Sequence, residues 1–523
     1  MALKITLLVL FFAIMIGVGI FCRKSASNVQ GFVLGGRNVG SWLTAFAFGT
    51  SYFSAVIFVG YAGQFGWKYG LASTWIGIGN ALIGSLLAWR VLGRRTRLMT
   101  QYLKSATMPD FFGQRFNSGA LKVAASVIVF IFLIPYTASL YNGLSRLFGM
   151  AFGIDYAWCV LGMAVLTAVY VLVGGYMATA VNDFIQGMIM LVGIVAVIVA
   201  VLNGHGGFSA AVAELSQIPS ETAPELNGAF VSFLGPQPIW LFGVVILTSL
   251  GTWGLPQMVG KFYAIRDEAA IRKGTAISTF FAIIVAGGCY FLGGFGRLFG
   301  NVIEYAPNGS PIYDSIVPSM LSNLPDAMIG IVIILVLSAS MSTLSSLVLT
   351  SGSTLTLDII KPAVGKAGKD MSEKSQLLTI RLFVLFFIAV SSVLAIVQAK
   401  SSVTFIAQLM GISWGALAGA FLAPFLYGLY WKRTTPAAVW ASFIVGVAVM
   451  CACMYGTFTK TTFISPYFSS PINAGVLAML LGLIIVPVVS LMTKVRGKEQ
   501  IDHMFSCYDR QVTVRATDAL EEE

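Results

Sequence analysis

The sequence is poor in charge and in the residues that build catalytic or metal centres. Only 10% of its 523 residues are charged, against about 25% in an ordinary soluble domain. Its two histidines, His205 and His503, fall in predicted loop or tail, and its six cysteines lack the spacing of a zinc site. Hydrophobic residues make up 57% of the chain, which is more than a soluble protein can hide from water. We therefore expect a membrane protein, whose outer surface contacts lipid.

Signature motifs of ATP-driven and hydrolytic proteins are also missing. The segment Gly260-Lys261-Phe262 lacks the spacing and the hydroxyl residue of a phosphate-binding loop, and no H-E-x-x-H occurs. The sequence thus predicts no use of ATP and no enzymatic activity. The net charge of +11 lies in short clusters between apolar runs, which indicates topogenic charge rather than binding of nucleic acid.

Apolar runs recur along the chain. A helix needs about 20 apolar residues to cross a bilayer, and the first run, 5–22, lacks the cleavage site of a signal peptide. The segments that meet this test centre on 5–22, 40–61, 71–93, 120–148, 156–173, 178–202, 236–256, 274–297, 326–356, 377–398, 402–428, 437–456 and 471–493. We predict an all-α polytopic membrane protein of about 13 transmembrane helices.

Basic clusters follow the odd-numbered segments and so predict an orientation. They include Arg23 and Lys24 after the first and Lys432 and Arg433 after the eleventh. The positive-inside rule makes that side cytoplasmic. We expect a plasma-membrane protein with its N-terminus outside and its C-terminus in the cytoplasm. Asn308 lies in a glycosylation sequon on the predicted outer side, where a chance turn is the simpler interpretation.

Asp183 is an acidic residue at the start of the sixth apolar segment. A carboxylate inside a membrane helix costs about 2.5–3.5 kcal/mol on insertion scales, so it persists where a cation, a proton or a donor lies nearby. The alternative is a helix cap, in which the carboxylate accepts backbone N–H bonds. The sequence leaves both open.

A dense run of hydroxyls lies in the ninth segment. Ser338, Ser342, Ser345 and Ser346 recur at helical spacing and share one face. Neutral hydroxyl and carbonyl oxygens suit a hard cation such as sodium. Serines also pack membrane helices by bonding to their own backbone. The density of the run favours an ion site.

Two apolar segments are interrupted by glycine or proline. The second contains Gly49-Thr50-Ser51-Tyr52-Phe53-Ser54, and the seventh contains Gly251-Thr252-Trp253-Gly254-Leu255-Pro256. Unwound backbone at membrane depth is tolerated where it lines a cavity. Broken helices in corresponding positions of two halves point to a transporter binding site.

These features together resemble the sodium/solute symporter family over about residues 30 to 435. The matching motifs are Leu34-Gly35-Gly36-Arg37, Gly174-Gly175 with Asp183 and Gln186, Gly254-x-Pro256 with Lys261-Phe262, and Met341-Ser342-Thr343-Leu344-Ser345. The resemblance implies the LeuT fold, an inverted repeat of five plus five helices. That divides the chain into an extra first helix with its linker (1–30), the transport core (31–430), two further helices (431–495) and a cytoplasmic tail (496–523).

The resemblance also implies ion ligands. The family's principal sodium site corresponds to Thr50, Phe53, Ala339, Ser342 and Thr343. A second sodium, found in some members, would use Asp183, Ser342, Ser345 and Ser346. We expect one sodium ion, or two, to be carried with each solute.

Resemblance is weaker in the solute pocket. The aspartate of the proline carriers corresponds to Tyr52, and the surrounding run looks more like the pantothenate and monocarboxylate carriers. We predict sodium-coupled import of a small carboxylate-bearing solute (a monocarboxylate, pantothenate or an amino acid) by alternating access. The candidate pocket residues are Tyr52, Ser54, Tyr136, Thr252, Trp253 and Gln408.

Three other functions remain open from the sequence. The first is a proton-coupled carrier on the same fold, with Asp183 as the proton site. The second is a membrane sensor or receptor, for which a tail of roughly thirty residues offers little signalling domain. The third is an ion channel, for which no repeated filter-like segment is visible.

Overall fold

The computed structural model describes residues 2–153, 155–307, 309–399, 406–495 and 497–510. Asn308, the predicted sequon asparagine, and the end of the predicted tail, 511–523, lie outside the described residues. The described chain is helical almost throughout, with isolated β-bridges between Val39 and Ile265 and between Tyr305 and Pro311. The predicted all-α class is confirmed.

Helices of the α type make up most of the described chain. They are α1 Ala2–Phe21, α2 Val29–Leu34, α3 Ser41–Tyr52, α4 Ala62–Tyr69, α5 Thr74–Gly79, α6 Arg94–Tyr102, α7 Met108–Arg115, α8 Gly119–Phe152, α9 Tyr156–Asn203, α10 Phe208–Ser216, α11 Pro238–Leu250, α12 Pro256–Ala264, α13 Glu268–Gly293, α14 Tyr313–Ser322, α15 Asp326–Thr354, α16 Lys361–Lys366, α17 Glu373–Ala399, α18 Ile406–Tyr430, α19 Pro436–Thr459, α20 Pro471–Met492 and α21 Lys498–Phe505. Wider π-helical turns join some of them, at Val56–Tyr61, Asn80–Leu87, Trp89–Gly93 and Leu355–Ile360.

Among the described residues, ten helices are long and apolar enough to cross a membrane, or eleven if the bent pair formed by α11 and α12 counts as one span. The predicted number of about thirteen is not confirmed. Two of the ten cover more than one predicted segment: Val56–Tyr102 covers the end of the second and all of the third, and Tyr156–Asn203 covers the fifth and sixth. In the second of these the helix is interrupted at Gly175, whose φ of 56° is left-handed and suits glycine.

Outer and central helices differ in how much of their apolar surface is buried. On the outside, large apolar side chains such as Val192 and Ile239 are exposed, as expected where the solvent is hydrocarbon. At the centre, α15 and α18 are 78% and 94% buried over their most apolar stretches. Small residues allow α18 to approach α20 closely, since a Cβ on Gly415 would lie 2.9 Å from Gly475 Cα.

Gly66 of α4 packs directly on the backbone of Gly293 at the end of α13. A Cβ at Gly66 would overlap the Gly293 carbonyl and lie 2.8 Å from its Cα. We expect Gly66→Ala to lower stability by about 1–3 kcal/mol, the usual cost of overpacking. Thermal unfolding of the purified protein in detergent measures this change. Gly17→Ala is the control, because nothing lies within 4 Å of that position, and an equal melting temperature for both variants would contradict the packing argument.

The basic loops predicted to share one side are in mutual contact. They meet through polar contacts between Arg37 and Ser105, Arg97 and Ile265, Val29 and Glu373, Arg94 and Tyr508, and Lys432 and Asp502. These residues define what we call the basic face. The contacts join the loops that follow the first, third, seventh, ninth, eleventh and thirteenth predicted segments, so those loops lie together at one end of the molecule.

Candidate functional site

Helix α3 ends in the middle of the protein, at the first predicted break. Tyr52 is its last residue, and Phe53 is extended with φ −102° and ψ 93°. The helix resumes after Ser54, whose carbonyl accepts the N–H groups of Ile57 and Phe58 at 3.0 and 3.1 Å. The interruption leaves carbonyl oxygens of the last turn of α3 without the partners that a continuing helix would supply.

The second predicted break separates α11 from α12. A 3-10 turn, Gly251–Gly254, follows α11, and the two helices are bent by 47°. The two breaks touch, because the Tyr52 hydroxyl donates to the Thr248 carbonyl. Thr252 Oγ1 donates to the carbonyl of Ser249 at 2.9 Å. The two interrupted helices therefore face each other, as expected for a transporter binding site.

The principal predicted ion ligands meet where α3 passes α15. Ser342 Oγ and Thr343 Oγ1 each donate to the Thr50 carbonyl at 3.1 Å and to the Ala339 carbonyl at 3.2 Å. Phe53, the fifth predicted ligand, is the extended residue that ends α3. All of these residues are buried. Two hydroxyls and two carbonyls within hydrogen-bond distance form an uncharged oxygen set that suits a hard monovalent cation.

The second predicted set is arranged differently. Asp183 lies within α9, beyond the interruption at Gly175. Among the described residues neither carboxylate oxygen has a hydrogen-bond partner, so the helix-cap interpretation of Asp183 does not hold. Ser345 Oγ donates to the Ser342 carbonyl of its own helix at 2.8 Å. Ser346 Oγ lies 2.7 Å from Ser51 Oγ on α3.

Lys261 is the partner that sequence analysis missed. It belongs to α12 and is only 3% exposed. Its Nζ lies 2.9 Å from Ser346 Oγ and 3.7 Å from Asp183 Oδ2. The sequence places it first among the basic residues that follow the seventh segment, namely Lys261, Arg266, Arg272 and Lys273. Its place five residues after Pro256, on the helix that follows a break at membrane depth, is the signal that could have found it.

Beside Lys261 lies a small cavity of ≈ 50 Å³. Its lining includes Lys261, Ser346 and Tyr176 and extends to Val33 and Leu34. The last two also line a larger cavity of ≈ 780 Å³ that contains Arg37 of the basic face. Val33 and Leu34 thus lie between the cavity beside Lys261 and the larger cavity at the basic face.

Five of the six predicted pocket residues surround the two breaks. Tyr52, Ser54, Tyr136, Thr252 and Trp253 are buried. Gln408 is half-buried, near the start of α18. The structure adds Trp414 of α18, whose ring lies 6.0 Å from those of Tyr52 and Tyr136.

Three polar atoms in this group lie close to one another but form no hydrogen bond of normal geometry among the described residues. They are Ser54 Oγ, Tyr136 Oη and Trp414 Nε1, and all three are buried. Buried polar groups are normally satisfied, so unpaired ones require an explanation such as a ligand or ordered water. They identify this aromatic-lined region as the candidate solute pocket.

Comparison with known proteins agrees with this architecture. The protein aligns over 491 residues at 29% identity with the osmoregulated proline transporter OpuE of Bacillus subtilis, covering 93% of this chain and 94% of the relative. Sodium/proline symporter 2 of Staphylococcus saprophyticus is 30% identical over 451 residues, which is 85% of this chain and 84% of that protein.

A solved structure shows the same fold. It is a Na⁺-coupled sialic acid symporter in a substrate-bound, outward-open state, with a TM-score of 0.74 and 16% sequence identity, covering 94% of this chain and 98% of the other. The predicted LeuT-type fold is confirmed. The sequence model of the sodium:solute symporter family matches residues 32–446. Since that match covers well over half of the chain, the protein belongs to the sodium:solute symporter family.

Proposed function

We propose that this protein imports a small carboxylate-bearing solute together with sodium, which binds at Thr50, Phe53, Ala339, Ser342 and Thr343. One observation carries the proposal above the others. The hydroxyls of Ser342 and Thr343 on α15 converge on the Thr50 carbonyl at the end of α3, at 3.1 Å. An ion held by these oxygens would join the broken helix to α15.

Coupling of sodium to solute follows because a proposed ion ligand, Thr50, and a proposed solute contact, Tyr52, both lie at the end of α3. Thr50 offers its carbonyl to the ion side, and Tyr52 directs its ring to the solute side, where it contacts Trp414 and the second break. Sodium binding that fixes the end of α3 also fixes Tyr52. A ligand changes the populations of two states only through differential affinity, so this shared segment provides the link between sodium and solute.

The chemistry of the pocket supports a carboxylate-bearing solute. The first N–H groups of a helix have no partner within it, and the chain that restarts after Ser54 continues as helix through α4. That end is positive and attracts an anion. Tyr52, Tyr136 and Trp414 supply an apolar wall that suits a small ring or alkyl chain.

Proline is the first solute to test, because both relatives compared above are named as proline carriers. A monocarboxylate and pantothenate are the next solutes to test. The resemblance places Tyr52 where the proline carriers have an aspartate. The residues around the breaks named here are uncharged, so an amino acid's ammonium would be bound by carbonyls and hydroxyls alone. Lactate and pantothenate carry no ammonium and avoid that demand.

The basic face is proposed to lie in the cytoplasm and the membrane to be the plasma membrane. Several Lys- and Arg-bearing loops meet there, as the positive-inside rule requires of one side. The cavity of ≈ 780 Å³ on that face would then be the inner vestibule. The N-terminus would lie outside.

Uptake into proteoliposomes tests the proposal. The panel is labelled proline, lactate, acetate, pantothenate and a sugar, each with an inward sodium gradient and with potassium or choline in place of sodium. We expect one of the carboxylate-bearing solutes to accumulate when the gradient is of sodium, and not when potassium or choline replaces sodium. Accumulation driven by a proton gradient and indifferent to sodium would contradict the proposal and favour a proton carrier with Asp183 as the proton site.

A further inference from the structure

We propose that the ammonium of Lys261 is a tethered cation that takes the place of a second sodium ion, so that this protein binds one sodium where the Asp183 set would otherwise bind another. The inference rests on the proposed function, because it concerns the ion stoichiometry of the same transport cycle. It is carried by contacts between four helices, namely α3, α9, α12 and α15.

A charged Asp183 requires a positive partner. Its side chain is fully buried in α9, where an unpaired carboxylate is strongly disfavoured. Among the described residues, its one ion-pair partner is Lys261, with Nζ 3.7 Å from Oδ2. Neither carboxylate oxygen of Asp183 has a hydrogen-bond partner among the residues that the structure describes. The charge of Asp183 is therefore balanced from within the protein.

Lys261 is held in place from three sides. Its ammonium donates to Ser346 Oγ at 2.9 Å, lies beside Asp183 and sits 5.4 Å from the centre of the Tyr176 ring. A carboxylate, a hydroxyl and an aromatic face are the groups that surround a bound cation in proteins. The ammonium thus occupies a cation position, with its own side chain as the tether.

The second sodium set does not accommodate another ion in this arrangement. Two of its four members, Asp183 and Ser346, are already in contact with the ammonium. The hydroxyl of a third, Ser345, is directed to the carbonyl of its own helix. Sodium among these groups would lie within a few ångströms of a buried positive charge, and like charges repel strongly in a medium of low dielectric constant.

The principal site is separate from this cation. The contacts among four of its five residues, Thr50, Ala339, Ser342 and Thr343, do not involve Lys261. The Ser346–Ser51 contact of 2.7 Å connects the two regions through α3. A tethered cation therefore supports the second region while leaving the first free to bind and release sodium.

Equilibrium binding of ²²Na⁺ to the purified protein tests this inference without transport. We expect the wild type to bind one sodium ion per protein, with a Hill coefficient near one. Lys261→Met keeps the length of the side chain but removes its charge, so Asp183 becomes available. That variant should bind twice as much sodium at saturation, and Lys261→Met/Asp183→Asn should return to one ion per protein.

Each outcome separates the inference from the proposed function. A wild type that binds two sodium ions overturns the inference and leaves the sodium symporter proposal intact. So does a Lys261→Met variant that keeps the wild-type affinity at its first site and still binds one ion. A wild type that binds no sodium overturns the proposed function and the inference with it. If Lys261→Met does not fold, two other variants test the inference: Lys261→Arg, which keeps the positive charge, and Lys261→Met/Asp183→Asn. Each should bind one sodium ion per protein. Two ions bound by either variant would overturn the inference.

Discussion

Replacing Ser342 by alanine is expected to abolish sodium-driven accumulation of the solute at ordinary sodium concentrations. The hydroxyl of Ser342 contacts two carbonyls of the principal set, Thr50 at 3.1 Å and Ala339 at 3.2 Å. A hydrogen-bonding or ligand contact to a charged group is worth about 1.5–3 kcal/mol. Its loss should weaken sodium binding by roughly 10- to 100-fold. The sodium concentration for half-maximal uptake, and ²²Na⁺ binding without solute, measure the effect.

The variant should still fold, because Thr343 continues to donate to the same two carbonyls. Ser353→Ala is the matched control on the same helix. Its hydroxyl bonds to Leu349 and Thr350 of that helix, at 2.7 and 3.1 Å, so its sodium dependence should be that of the wild type. Equal sodium affinity in Ser342→Ala and wild type would show that the ion binds elsewhere.

Replacing Gly84 by valine is expected to abolish solute uptake while sodium binding persists. A Cβ on Gly84 would overlap the Tyr52 hydroxyl and lie 2.9 Å from its ring. The ring would have to leave the Thr248 carbonyl and its place against Trp414. Overpacking of this kind typically costs about 1–3 kcal/mol of stability, so we expect the variant to fold with a displaced Tyr52. Proteoliposome uptake and ²²Na⁺ binding, measured on one preparation, distinguish the two losses.

Gly162→Val is the control for this substitution. Gly162 lies in α9 on an exposed stretch, with nothing within 4 Å of a Cβ, so valine there faces lipid and should leave uptake unchanged. If Gly84→Val transports the solute as the wild type does, Tyr52 is not part of the solute pocket. If it loses sodium binding as well, the two sites share more than the end of α3.

Much of the fold could be predicted from local sequence. A run of apolar residues specifies a membrane helix because the bilayer itself selects for it. The breaks at Phe53 and at Gly251–Gly254 were visible because glycine and proline act on the backbone where they stand. The number of spans depends on how a broken helix is counted, since Tyr156–Asn203 is interrupted at Gly175, between the fifth and sixth predicted segments.

The hydroxyl face of α15 was likewise predicted, because helical spacing places Ser338, Ser342, Ser345 and Ser346 together. Its meeting with Thr50 was implied by family resemblance and not by the residues themselves. The structure supplies that contact directly, at 3.1 Å.

The sequence by itself determined three things: that this is a membrane protein, at which residues its helices break, and which face of α15 carries hydroxyl oxygens. Each of these depends on neighbours along the chain. Only the tertiary structure decided which group balances Asp183 and which aromatic completes the pocket. Lys261 and Trp414 reach those places from helices far away in the sequence. A charge in a basic cluster and a tryptophan in an apolar run have the same local signature whether they face lipid, water or each other, so packing alone assigns their roles.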